Sequence, residues 1–393
     1  MSQDTILLSE QPISNRYIPR DAAIRPPIYH LGIKIDYELN LIRLDPHIPC
    51  EELRPRVPWI NAFEPEKHLD KMVSEILNLP GISKDSVFGA YSFKDDSTLQ
   101  RINNLGYLNS WRIDPKIDLG VSKKNAGIET FQAHLDNTSL FNLKKRHYAP
   151  DVFIARHVIE HSFDIMNFVN FVRKVIKPGG YIVFELPDST KSLLSGDLTM
   201  IWEEHLYYFT KDLFKNFLLS CGFEIIMLYE EEYSNENCII AIIRDLNGGS
   251  HELWELKDPN IFFDIFIDYG KKYYERKKIL MRKFQEIEAK GLRVAIYGAG
   301  HYSVAFTSTL GIGSKILFAI DDDLNKLEYY MPSDACVPIF SSSKLNKKNI
   351  DICLLGLNSV HQQHIIKKHE QFTKDGGIFA SIFPGDSTDI ANL

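Results

Sequence analysis

Apolar residues recur along the chain in two alternating periods. Within EPEKHLDKMVSEILNL (64–79), Leu69, Met72, Val73, Ile76 and Leu77 are spaced for one buried helical face. Further on, Val152 to Ala155 reads as a short apolar strand, Asp164 to Ile176 as an amphipathic helix, and Tyr181 to Leu186 as a second buried strand. The intervening Lys177-Pro178-Gly179-Gly180 cannot continue the helix and reads as a turn. KDLFKNFLLSCGFEIIMLYEE repeats the device, with Gly222 as the helix stop, and CIIAIIR (238–244) adds a strand before an Asn-Gly-Gly-Ser break. Residues 258–290 predict one long helix or a helix pair, weakened at Gly270 by about 1 kcal/mol relative to Ala. From Arg293 onward VAIYGAG, KILFAIDDD, IDICLLGLN and GIFASIFP mark strands separated by helices.

That alternation predicts an α/β protein with mostly parallel sheets. Residues 1–65 differ, with many prolines and short β-like runs such as IDYELNLIRL, and read as a small irregular module. The expected organisation is 1–65, an α/β domain over 66–245, a helical connector over 246–290 and a second α/β domain over 291–393. A length of 393 residues, at about 150 per domain, agrees with two or three domains. With 44% hydrophobic and 25% charged residues the chain is not a disordered one.

The formal charge of −7 has the wrong sign for broad nucleic-acid binding. Five cysteines (Cys50, Cys221, Cys238, Cys336, Cys353) form no C-x-x-C pair, so neither a disulfide framework nor a local cysteine zinc site is expected. The start, MSQDTILLSEQ, is acidic and polar, unlike a secretory signal, and no apolar run approaches the ~20 residues that span a bilayer. A reducing, cytoplasmic setting with no membrane partner is the expectation.

Several segments carry candidate chemistry. In an open parallel sheet ligands sit beyond the carboxyl ends of the strands, so Arg156 and His157, just after VFIA, are expected to face a crevice. Glu160 and His161 follow one turn later, where a helix-start polar pair bonding the loop is an equal reading. Asp114 in LNSWRIDPK ends a strand, where an acidic side chain accepts ribose hydroxyls; an Asp-Pro turn explains it equally well. WEEHLYYF contains the adjacent Glu204 and His205, and His suits acid–base work because its ordinary pKa lies near neutrality. Ile296-Tyr297-Gly298-Ala299-Gly300-His301-Tyr302 is a strand-to-helix Gly-x-Gly turn, a weak dinucleotide signal whose helix start could accept a pyrophosphate.

DVFIARHVIEH, KPGGYIVFELPD, WEEHLYYFT and CGFEII, in this order over about 75 residues, resemble the second half of a class I S-adenosylmethionine-dependent methyltransferase. More narrowly the chain resembles three-part sugar C-methyltransferases acting on nucleotide-linked keto-sugars, over residues 10–385. The resemblance implies a Rossmann-like methyltransferase domain and a second Rossmann-like domain that helps hold the sugar nucleotide. It implies Glu204 and His205 as the catalytic pair, with His205 helping to take a proton from the carbon beside the carbonyl. Gly89, Tyr91, Asp114, Arg156 and His157 fall at cofactor positions, and Trp202, Tyr207, His68, Gly300, His301, Tyr302, Lys326 and Asn358 at substrate positions.

There are departures from the family pattern. SVFGAYSFKDDSTLQ (86–100) has Gly89 as its only glycine where a glycine loop is expected, with Tyr91, Phe93 and Lys94 at places for small residues. Trp202 stands where the family has a tyrosine, Phe63 is the nearest aromatic to a second expected tyrosine, and only Cys50 remains near a zinc module's cysteines, so no zinc is expected. Two alternatives therefore stay open: a divergent member that binds a sugar nucleotide but does other chemistry, and a non-catalytic pseudo-methyltransferase.

Overall fold

Seventeen short strands are collected into three sheets in a computed structural model that describes residues 5–22, 26–60, 66–233, 236–245, 260–347 and 350–393. Phe63 and the Asn-Gly-Gly-Ser break lie outside the described residues. The amino-terminal strands are β1 (Thr5–Pro12), β2 (Ile18–Pro19), β3 (Ile28–Asp36) and β4 (Leu41–Asp45). There follow β5 (Phe88–Ala90), β6 (Ser110–Arg112), β7 (Val152–Arg156), β8 (Tyr181–Asp188), β9 (Tyr207–Tyr208), β10 (Phe223–Glu231) and β11 (Asn237–Asp245). The last group is β12 (Val294–Tyr297), β13 (Ile316–Ile320), β14 (Tyr329–Met331), β15 (Val337–Phe340), β16 (Ile352–Leu355) and β17 (Ile378–Ser381).

The central sheet has the order β10-β11-β8-β7-β5-β6. β8, β7, β5 and β6 run parallel, and β11 is antiparallel to both its neighbours. β7 and β8 are buried along their whole length. Their side chains alternate between two apolar layers: Phe153, Ala155, Ile182 and Phe184 on one face, Val152, Ile154, Tyr181 and Val183 on the other. This is the environment of a parallel strand covered on both sides, which is why these segments read as unbroken apolar runs. The helix between them, Ile165–Val175, starts where Asp164 accepts a hydrogen bond from the Asn167 amide at 2.8 Å.

The carboxy-terminal sheet, β17-β16-β12-β13-β15-β14-β2, is parallel from β17 to β15 and closes with antiparallel β14 and β2. β2 belongs to the amino-terminal segment. Conversely, β9 from the central segment completes the antiparallel sheet β1-β3-β4-β9. The amino-terminal segment therefore lends one strand, β2, to the carboxy-terminal sheet and borrows another, β9, from the central segment.

Asn260–Ala289 is a single helix of 30 residues that continues through Gly270. A Cβ at Gly270 would lie 2.7 Å from the Ile6 side chain, so the glycine admits β1 against the helix. Arg276, on the same helix, makes a buried bidentate pair with Asp389 at 2.9 and 3.0 Å and so ties the connector to the chain's far end.

Candidate active site

The three modules meet beyond the carboxyl ends of β5 and β7, where an open α/β sheet places its ligands. His157, the first residue after β7, has φ of +49°, a left-handed conformation uncommon outside glycine. Its amide donates to the Glu185 carbonyl at 2.7 Å and its Nε2 lies 3.0 Å from Glu185 Oε1, which holds the ring inward. A short turn, Ile159–His161, then buries Glu160 and His161. His161 Nδ1 lies 2.9 Å from Glu129 Oε1, on the helix Ile128–Gln132.

Trp202, Glu203, Glu204 and His205 form the opposite wall. The Leu206 amide donates to the Glu160 carbonyl at 2.7 Å and fixes this segment over the turn. The amino-terminal strap between β1 and β2 holds it from the other side. Ser14 Oγ donates to Glu203 Oε1 at 2.7 Å, Trp202 Nε1 donates to Ser14 Oγ at 3.1 Å, and Asn15 Nδ2 donates to Glu204 Oε1 at 2.8 Å. The His205 ring stands edge-on to His161 with centroids 4.9 Å apart, and 4.6 Å from Trp202. From the carboxy-terminal domain His301 stacks on Trp202 at 4.5 Å with 16° between planes. Tyr302 touches His301 and Phe383.

Electrostatics separates the adjacent pair. Desolvation, reinforced by the Glu129 and Glu203 carboxylates, pushes the Glu204 carboxyl well above the usual carboxylate range. Desolvation, reinforced by His161 and His301, holds the His205 imidazole well below its ordinary pKa. The same environment thus favours the neutral form of both groups.

The expected residues fall into two groups. His205, Glu204, His157, Trp202, His301 and Tyr302 come together around this cleft. Gly300 lies at its carboxy-terminal side, where a Cβ would meet no atom within 4 Å, so the start of the helix His301–Leu310 is open to a ligand. Gly298, at φ +95°, makes the turn and packs against the Gly356 carbonyl. Lys326 stands beside that turn, its Nζ 2.9 Å from Asp321 Oδ2, and Asp321 also accepts from the Ala299 amide at 2.9 Å.

Others have work elsewhere. Gly89 answers to packing, since a Cβ there would lie 2.9 Å from the Trp111 ring and 3.0 Å from Phe153 and Pro150. Both the Lys116 and Ile117 amides donate to Asp114 Oδ1 at 2.9 Å, the Asp-Pro turn in physical form. Arg156 is buried, with Nε 2.6 Å from Glu185 Oε2 and Nη1 donating to the Lys94 carbonyl, and forms the floor. Tyr207 pairs with Arg43 across β9 and β4, and desolvation pushes its hydroxyl up to about 12. His68 reaches Glu185 Oε2 at 3.0 Å from the far side of the floor and contacts the Tyr233 hydroxyl. Asn358 caps the helix Ser359–Lys368 by accepting from the Val360 amide at 3.1 Å.

Glu129, Asn15 and Ser14 are contributors that no sequence motif marked. Glu129 sits in a short helix whose five residues are all buried and Asn15 among prolines; only long-range folding brings them here.

The place expected for a glycine cradle is built differently. The Tyr91 ring packs edge-on to Phe168 at 5.5 Å, and its buried hydroxyl has no hydrogen-bonding partner. Ser92 and Asp95 close a capping box behind it, and Asp95 Oδ1 accepts from the Arg156 amide at 2.9 Å. Glu129 and Asp95 are the acidic groups acting on Tyr91. An orphaned hydroxyl beside carboxylates fits a cationic group that carries hydrogen-bond donors, and the ammonium of S-adenosylmethionine meets that description.

Two family models match the chain: "Methyltransferase domain" over residues 47–228 and "C-methyltransferase C-terminal domain" over residues 260–384. Together with the sheet order and the crevice beyond β5 and β7 they define a class I methyltransferase. More narrowly, the chain is similar to C-methyltransferases. It is 23% identical over 282 residues to C-methyltransferase NovU of Streptomyces niveus, an alignment covering 69% of this chain and 66% of that protein. Solved structures similar to it include a 1,6-didemethyltoxoflavin-N1-methyltransferase of Burkholderia thailandensis (10% identity, 46% of this chain, 79% of that chain, TM-score 0.32). A putative S-adenosylmethionine-dependent methyltransferase of Listeria monocytogenes also matches (10% identity, 46% of this chain, 99% of that chain, TM-score 0.29).

Proposed function

We propose that this chain is a C-methyltransferase whose substrate is a nucleotide-linked keto-sugar. The observation that carries the reading is the adjacent Glu204 and His205, displaced in opposite directions by one environment. Pairs of titratable groups pushed apart in this way divide acid and base roles. Neutral His205 is the base that takes a proton from the carbon beside the sugar carbonyl. Protonated Glu204 donates a hydrogen bond to the carbonyl oxygen as negative charge develops on it. Asn15, bonded to Glu204 Oε1, leaves Oε2 as the oxygen that carries the proton.

Trp202 has no hydroxyl to offer. Its part is to exclude water and, through the His301 stack, to close the central domain on the carboxy-terminal one. The open helix start at Gly300 and His301 suits the substrate's pyrophosphate. S-adenosylmethionine, when bound, supplies an activated methyl group, and Tyr91 and Glu129 are the residues that would hold its cationic end.

Transfer of labelled methyl from S-adenosylmethionine to a set of uridine- and thymidine-diphosphate keto-hexoses tests the reading. His205→Ala should lower incorporation by roughly 100-fold or more, the scale of a lost general base, while calorimetric binding of S-adenosylmethionine persists. Proton exchange without methyl incorporation would favour the other chemistry that the side chain of Tyr91, in a glycine's place, leaves open.

A further inference from the structure

Behind His205 runs a row of buried ionisable groups that alternate in kind: His161, Glu160, His157, Glu185 and His68. Each imidazole turns its two nitrogens toward different groups, and neither His161 nitrogen makes a hydrogen bond. His161 places Nδ1 2.9 Å from Glu129 and Nε2 3.8 Å from Glu160 Oε1. His157 places Nδ1 3.5 Å from the same Glu160 oxygen and Nε2 3.0 Å from Glu185. His68 joins Glu185 at 3.0 Å to the half-buried Tyr233 hydroxyl. Glu160 is 1% exposed, and neither of its oxygens has a hydrogen-bonding partner, although an imidazole stands on each side. A buried carboxylate in that position is costly unless it shares a proton with its neighbours.

We propose that this row is a proton relay serving His205, in which Glu160 passes the proton removed from the substrate between His161 and His157. It rests on the carbon-acid reading given above. The C–H bond breaks, its electron pair stays on the substrate as an enolate, and the proton goes to His205. With His161 Nδ1 facing Glu129, the proton passes from His205 to His161 Nε2, on the side where ligand atoms of His205, His161 and Glu160 lie within 4.8 Å of one another; the same nitrogen releases it to Glu160, and Glu160 gives it to His157. No group in the row is left changed except the one holding the proton. Glu129 at one end and Glu185, pinned by Arg156, at the other are fixed anions that stabilise an imidazolium between them. The row separates the proton from the enolate before it can return, which a lone His205 cannot do.

The charged and titratable groups facing this row are Lys94 and Asp95 from the loop after β5 and Arg156 from β7. Glu129 faces it from its helix, Glu185 from β8, Glu204 and His205 from the opposite wall, and His301 from the carboxy-terminal domain. All stay in place in the two variants used as a test. His157→Asn suits the left-handed backbone, and Glu160→Gln keeps shape while removing the exchangeable carboxyl proton. In the full chain with labelled histidine, magnetic resonance should show the ring signals of His157 and His161 coupled through Glu160. Glu160→Gln should move both, and His157→Asn should move His161 across the carboxylate. In the methyl-transfer assay Glu160→Gln should lower kcat about 10-fold with KM unchanged, and Glu160→Asp should restore most of it. A His161 ring signal unaltered by both substitutions, or an unchanged kcat in Glu160→Gln, overturns the relay alone. Wild-type protein that removes no substrate hydrogen overturns the carbon-acid reading and the relay with it.

Discussion

Glu204 and His205 are neighbours with opposite burdens, and the contrast can be read by substitution. In the proposed reaction Glu204 is the hydrogen-bond donor, and its surroundings push its carboxyl toward the neutral form, so a side chain that donates without ionising should replace it in part. Glu204→Gln should retain about a tenth of wild-type kcat, whereas Glu204→Ala should fall by a further 10-fold or more; steady-state kinetics of the two variants checks this. Equal losses would assign Glu204 a charge that only a carboxylate can carry. At this scale the sequence was informative where function sits in adjacent residues, as in WEEH, and silent where it is assembled from afar. Glu129 and Asn15 carry no local signal, because what makes them functional is a fold that sets them against His161 and Glu204.

The loop after β5 is the element that departs furthest from the family pattern, and it has a measurable consequence. Desolvation pushes the Asp95 carboxyl up to about 7, against about 3.9 in an unfolded chain. Between these values the folded protein binds more protons than the unfolded one, so stability should fall as pH rises from about 4 to 7. Asp95→Asn should flatten that slope in urea unfolding followed across the same range; an unchanged slope would place the titration elsewhere. Local patterns predicted the helix Ile165–Val175 and its flanking strands well, because Asp164, the Lys-Pro-Gly-Gly turn and the apolar runs each act over a few residues. They did not reveal β2 or β9. Two-residue strands such as Ile18–Pro19 and Tyr207–Tyr208 have no period of their own and exist only through partners elsewhere in the chain. Gly270 is a related case: read as a weak point in a helix, it is the place where Ile6 approaches.

Across the whole molecule the amino-terminal segment is a strap as much as a module. It places Ser14 and Asn15 on the catalytic wall, sends the Tyr17 hydroxyl to the Ala299 carbonyl, and ends as β2 in the carboxy-terminal sheet. The Trp202–His301 stack closes the same three-way junction from the side of the cleft. Such an arrangement holds one half-buried acid–base pair against two Rossmann-like halves, as the proposed proton removal from a large bipartite substrate requires. The most direct measurement of this account is solvent-deuterium exchange at the carbon beside the carbonyl of uridine- and thymidine-diphosphate keto-hexoses, followed by proton magnetic resonance with wild-type protein and His205→Ala. The account predicts exchange with at least one of these sugars in the wild type and a loss of about 100-fold or more in the variant. Equal exchange rates in the two proteins, or no exchange with any member of the set, would contradict it.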